Sequence, residues 1–126
     1  MIPQPLSIGL TLCHSVIIEE GTRNLTLVGS FLDFYADDFP FTPDPFYVVT
    51  SLVGGHGEGE LELTVTRLET DQEVFSVHRR LSFPDRLTAV RVAFRLRDCV
   101  FPDAGAYVMA LLMDGEWVTQ RRFEVT

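Results

Sequence analysis

Residues 60–66 read Glu-Leu-Glu-Leu-Thr-Val-Thr, with Leu61, Leu63 and Val65 at every second position and polar residues between them. A side-chain period of two belongs to a β-strand, so this segment has one buried face and one wet face. The alternation recurs where Val90, Val92, Phe94 and Leu96 interleave with Arg91, Ala93, Arg95 and Arg97. Further strands are expected at Leu6–Cys13, Asn24–Phe31, Phe46–Val53, Val74–Phe83, Tyr107–Met113 and Trp117–Val125, with Val16–Glu19 as a short strand of its own. Turn-forming residues separate most of them: Glu20-Gly21, the Gly54–Gly59 run, Thr70-Asp71, Pro84-Asp85, Pro102-Asp103 and Asp114-Gly115. No segment sustains a helical period. Residues 1–126 are therefore expected to form a single all-β domain, either a sandwich or a barrel.

The run Asp103-Ala104-Gly105-Ala106-Tyr107 favours the sandwich. It resembles the corner that opens the penultimate strand of an immunoglobulin-like domain, where the Tyr hydroxyl bonds back to the chain a few residues upstream. In antibody-type domains a disulfide Cys lies two residues after that Tyr. Met109 occupies the position here, so the resemblance is to the corner alone. The expected fold is an immunoglobulin-like β-sandwich of about eight antiparallel strands, with Tyr107, Met109 and Leu111 facing inward.

The wider layout also resembles a family of short, uncharacterised bacterial proteins. The shared elements are Leu12-Cys13, then Gly21 through Leu25-x-Leu27-x-Gly29-x-Phe31, then Phe39-Pro40 and the Gly-rich turn. They end with Gly105-x-Tyr107-x-x-x-Leu111-x-x-Asp114-Gly115-Glu116, and His14 departs from the acidic residue expected after Cys13. The resemblance implies a bacterial or phage origin and an all-β fold. It implies no activity and no catalytic residue.

The net charge of −8 is uneven. Residues 1–62 hold nine acids (Glu19, Glu20, Asp33, Asp37, Asp38, Asp44, Glu58, Glu60, Glu62) against Arg23 alone, whereas the remainder balances nine Arg against nine acids. Such a chain is repelled by phosphate backbones, so no nucleic-acid partner is expected. There is no run of apolar residues long enough for a membrane helix, so no membrane partner is expected. The first basic residue is Arg23, so the apolar start reads as a strand rather than a secretory signal, and the expected location is cytoplasmic. Cys13 and Cys99 are then expected to be reduced, buried thiols.

Asp33–Pro45 is the longest irregular segment. Phe34, Tyr35, Phe39 and Phe41 offer contact area, three prolines stiffen it, and Asp33, Asp37, Asp38 and Asp44 carry charge. Three readings are open. The Phe side chains fold down as a lid, or the loop is a partner surface, or its carboxylates bind calcium, although their spacing lacks the alternation of a known calcium loop. A second candidate surface comes from strands that are apolar on both faces, Phe46–Val53 and Tyr107–Leu112. Val108, Ala110 and Leu112 there need cover from a loop or from another subunit. A third is an arginine-lined face, with Arg91, Arg95 and Arg97 joined by Arg80 and His78 from a neighbouring strand, suited to an acidic partner such as the acidic half of a second copy.

Arg79 and Arg121 fall in the inward phase of their strands. A β-bulge at Arg79-Arg80 and at Arg121-Arg122 is expected to turn them outward. The Gly54–Gly59 run is flanked by strands and followed by acids, so it reads as a hairpin and not as a phosphate cradle. His14, His56 and His78 form no catalytic motif, and no cofactor or metal ligand set is evident. The function expected is a non-enzymatic protein-binding or assembly module, self-associating, in a bacterial or phage system. The alternative is a small-ligand or glycan-binding module built on Tyr35, Phe39 and the nearby Asp residues.

Overall fold

The structure, a computed structural model, describes residues 5–126. Eight strands form two four-stranded antiparallel sheets: β1 (Leu6–Ile18), β2 (Leu25–Phe31), β3 (Phe46–Val53), β4 (Gly57–Arg67), β5 (Glu73–Phe83), β6 (Val90–Leu96), β7 (Gly105–Met113) and β8 (Glu116–Val125). The first sheet has the order β2-β1-β3-β6 and the second β5-β4-β7-β8. The inward positions of both sheets make one apolar core, with Leu12, Val48, Leu52, Val92 and Phe94 from the first facing Leu61, Leu63, Val65, Met109 and Leu111 from the second. That is the face selected by the two-residue alternation in each strand.

Two sequence expectations change in detail. Leu6–Cys13 and Val16–Glu19 are one thirteen-residue strand, which pairs with β3 through its first half and with β2 through its second. The Gly54–Gly59 run is not a hairpin. β3 and β4 lie in different sheets, and the turn carries the chain across the sandwich.

The corner at Asp103–Tyr107 is formed. The Tyr107 hydroxyl donates to the Asp103 carbonyl at 2.7 Å, and the ring is completely buried against Phe101 and Phe123. Gly105, at φ 145°, occupies a backbone region that a side chain would make costly, which is why the turn carries glycine. Arg67 bonds the Asp103 carboxylate at 3.1 Å and holds the outer side of the same corner.

The inward arginines are not turned outward. The bulges of the second sheet fall elsewhere, at Val74 in β5 and at Val118 in β8, where each places an extra valine against the core. Arg79 lies on the edge strand β5. Its guanidinium crosses the seam to the edge strand β6, donating to the Ala93 carbonyl at 2.9 Å and lying 4.8 Å over the Phe94 ring. Arg121, on the opposite edge strand β8, donates to the carbonyls of Leu10 at 3.2 Å and Leu32 at 3.0 Å. An inward charge is tolerable at these positions because an edge strand's inner face borders the open seam, where backbone carbonyls and water are both within reach.

The apolar outer faces are partly buried. On β3, Val49 is 7% exposed, and it shares a cleft with Leu25 and Leu27 of β2 and Arg91 of β6. A second cleft holds Ile18, Arg23 and Leu25 together with Arg91 and Ala93. The far end of the β1–β2 hairpin and the outer face of the first sheet thus border two clefts in common. On β7, Ala110 is 2% exposed between Thr64 and Gln120, while Val108 and Leu112 are half-buried beside Thr66, Arg122, Glu62 and Trp117.

Candidate functional site

Residues 33–45 connect β2 to β3 and cross the sandwich on the way. Phe34 joins the end of β8 in a parallel bridge to Val125. The Phe34 amide donates to the Glu124 carbonyl at 3.0 Å, the Thr126 amide donates back to the Phe34 carbonyl at 3.1 Å, and the Ala36 amide donates to the Thr126 carbonyl at 2.7 Å. The Asp33 carboxylate accepts the Glu124 amide at 2.8 Å. Further along, Phe41 and Phe101 exchange two backbone bonds of 2.8 Å. Both sides of the loop are thus tied to regular strands or their immediate extensions, so its central residues are held in place without being buried.

This tethering divides the loop's aromatic residues. Phe34 is 7% exposed and packs against Phe31, Phe41, Phe46, Phe101 and Phe123, with centroids 4.9–6.2 Å apart. Proposed from sequence as part of a contact surface, it is instead core, because the bridge to Val125 points its side chain between the sheets. Phe41 is half-buried over Phe101. Tyr35, the next residue along from Phe34, is 79% exposed, and Phe39 is partly exposed with Asp37 and Asp38 beside it. The loop is therefore divided: Phe34 and Phe41 close the core, and Tyr35 and Phe39 face outward.

Between the loop and the β1–β2 sheet edge lies a cleft of about 440 Å³. Its apolar lining is Phe31, Phe34, Tyr35, Phe41, Pro43 and Phe46, and its polar lining is His14, Asp33, Thr42 and Asp44. The His14 imidazole stacks on Phe31 at 4.7 Å. It can lie there because Gly29 on the paired strand has no side chain: a Cβ at that position would stand 2.7 Å from the His14 ring. Clefts of roughly 300–1,000 Å³ with aromatic walls and a few polar groups are the usual form of a ligand-binding site. Sequence reasoning found the loop but missed His14 and Phe31 as its opposite wall, since nothing local shows that β1 and β2 run beside residues 41–46.

The remaining candidates lie elsewhere. Val108 and Leu112 are on the outer face of the second sheet, and Arg91 and Arg95 on the outer face of the first, on opposite sides of the sandwich. Arg80 and His78 do not extend the arginine row, because β5 and β6 belong to different sheets. They face the acids of β4 instead. His78 Nδ1 lies 2.7 Å from Glu60 and Nε2 lies 3.1 Å from Glu62, and Arg80 reaches Glu58 at 3.3 Å. This ladder lies on an open sheet face. His56 borders a crevice of about 10 Å³ with Glu58, Gly59, Phe83 and Asp114, room for about one water. Among the described residues, no group of three His, Cys, Asp or Glu side chains is placed to hold a metal ion, so the four loop carboxylates do not converge. Cys13 and Cys99 are free and buried, and burial pushes the Cys99 thiol up to about 12. Among the described residues, no helix is long and apolar enough to cross a membrane.

Fold and site together define an all-β sandwich with an aromatic loop tethered at both sides and an acid-rimmed cleft beside it. The chain belongs to a family of unknown function, DUF6941, which matches residues 9–126. No curated protein matches the chain. Among solved structures it is similar to a Pseudomonas fluorescens alkylpurine DNA glycosylase, AlkC, bound to DNA containing an abasic site analog, at 13% identity and a TM-score of 0.45. That similarity covers 66% of this chain and 26% of the glycosylase. It is also similar to a beta-glucosidase from Kluyveromyces marxianus, at 15% identity and a TM-score of 0.44, covering 83% of this chain and 16% of that one. The chain thus spans about a quarter or less of these proteins.

Proposed function

We propose that this protein is a non-enzymatic protein-binding module that engages its partner through the 33–45 loop and the cleft beside it. The observation that carries the reading is Tyr35, a large aromatic side chain left 79% exposed on a backbone pinned to the end of β8. An aromatic anchor on a pre-ordered backbone gives contact area at little further cost in entropy, as binding hot spots do. The cytoplasm of a bacterial or phage-infected cell is the setting in which we read it. A catalytic role has less support, since His78 and its two carboxylates lie on an exposed sheet face and not in a concavity.

The sandwich is further read as immunoglobulin-like. The tyrosine corner supports this, as does the repeated crossing between sheets at β3–β4, β5–β6 and β6–β7. Self-association is the second reading, motivated by Val108 and Leu112, which stay half-buried on the outer face of β7. Light scattering over a concentration series decides whether the partner is a second copy. With the partner in hand, Tyr35→Ala should weaken binding about thirtyfold, the effect of a hot spot worth roughly 2 kcal/mol. Unchanged affinity would remove the loop from the interface.

A further inference from the structure

We infer that the cleft between the 33–45 loop and the β1–β2 edge receives an arginine or lysine side chain presented by the partner protein. This rests on the reading of the loop as a protein-binding surface and goes further by naming what enters the cleft.

The lining combines aromatic rings and carboxylates with no permanent positive charge. Phe31, Tyr35 and Phe41 offer rings that are not fully buried, and Asp33 and Asp44 supply the charge, with His14 the one basic group. No Arg or Lys occurs anywhere from Asn24 to Thr66. The acids of β4 are paired with the facing strand, Glu58 with Arg80 and Glu60 and Glu62 with His78. The cleft acids are not. Among the described residues, Asp44 has no hydrogen bond or ion pair, and Asp33 spends one carboxylate oxygen on the Glu124 amide.

A long basic side chain satisfies both parts of this lining. Its aliphatic stem covers ring surface, and its charged head meets the ring faces and the carboxylates together. A phosphate or acidic segment is repelled by the same groups. A neutral sugar would stack on the rings, but it would leave the Asp44 charge partly desolvated without a counter-charge. The four bonds that tie Asp33–Ala36 to β8 and the two that tie Phe41 to Phe101 keep this wall in place before anything binds.

The test is an amide chemical-shift titration of the full chain with the blocked tripeptide acetyl-Gly-Arg-Gly-amide. Parallel arms use its citrulline analogue, which has the same shape without the charge, a Glu tripeptide, free spermidine, and maltohexaose. The inference expects the Arg peptide to shift the amides of Phe31, Asp33, Tyr35, Phe41 and Asp44. The citrulline analogue should bind about tenfold more weakly or worse, a difference of about 1.4 kcal/mol. Asp44→Asn should reproduce that loss, and since its side chain is exposed and unpartnered the fold should be untouched. Asp33→Asn keeps an oxygen for the Glu124 amide and should add to the effect. Equal binding of Arg and citrulline peptides would overturn the inference, and so would shifts caused by maltohexaose or the Glu tripeptide alone. Tighter binding of spermidine than of the peptide would also overturn it, in favour of a free amine. Its failure is separable from that of the functional reading: partner binding lost in Tyr35→Ala but unchanged in Asp33→Asn/Asp44→Asn would sink only the basic side chain.

Discussion

Arg79 of one sheet donates a hydrogen bond to the carbonyl of Ala93 in the other, at 2.9 Å, across the seam where two edge strands meet. Arg121 does the equivalent at the opposite seam, reaching Leu10 and Leu32. Among the described residues the two sheets share no ladder hydrogen bonds, so these arginines add directional bonds to an apolar contact. Charged donors to buried or half-buried acceptors contribute more than neutral ones. Arg121→Met should cost about 1.5–3 kcal/mol in chemical denaturation. Arg79→Met, whose group is more exposed, should cost about 0.5–1 kcal/mol. Arg80→Met, next along the chain but facing solvent, should cost under about 1 kcal/mol, and a ranking with Arg80 first would contradict the assignment.

Tyr107→Phe removes the hydroxyl that bonds the Asp103 carbonyl while leaving the buried ring in place. The expected loss is about 0.5–1.5 kcal/mol in urea unfolding, with the m-value unchanged. No loss would mean that water replaces the bond without cost.

Phe34 and Tyr35 are neighbours with opposite fates, and truncating each reads out the loop's geometry. Phe34→Ala should destabilise by about 3–5 kcal/mol, as a cavity in an aromatic cluster does. Tyr35→Ala should change stability by less than about 0.5 kcal/mol. A reversal of that order would place the loop in the other phase.

Cys99 gives a pH prediction. Burial raises its thiol from 9.0 to about 12, so the folded state keeps the proton to a higher pH than the unfolded chain does. That contribution is fully present below pH 9 and is lost as the pH rises from 9 towards about 12. Relative to Cys99→Ala, the wild-type protein should lose stability faster over that interval, by at most about 1.4 kcal/mol per pH unit. Parallel stability curves for the two proteins would contradict it.

How far the molecule was legible beforehand follows from what a local period can encode. β3 is residue for residue the expected strand, and Tyr107, Met109 and Leu111 are all fully buried as their phase required. Alternation assigns a face but not a neighbour. It marked Arg79 and Arg121 as inward without revealing that an edge strand's inner face opens onto a seam. It marked Phe46–Val53 as apolar on both faces without revealing that Val49 on the outer face is 7% exposed and shares a cleft with Leu25 and Leu27, more than twenty residues upstream. The loop has no period, so nothing local separated Phe34 from Tyr35. A bridge to Val125, some ninety residues away, decides that.

The central claim is that the loop end, and not the outer face of β7, meets the partner. Tyr35 and Trp117 are both large exposed aromatics, 79% and 63%, and Trp117 sits beside Leu112 on that rival face. A photo-crosslinking phenylalanine analogue placed at each position in turn, in cells making the protein at native level, compares the two directly. The account predicts a discrete adduct from position 35 that is lost in Asp33→Asn/Asp44→Asn, and none from position 117. A discrete adduct from position 117 with none from position 35 would contradict it.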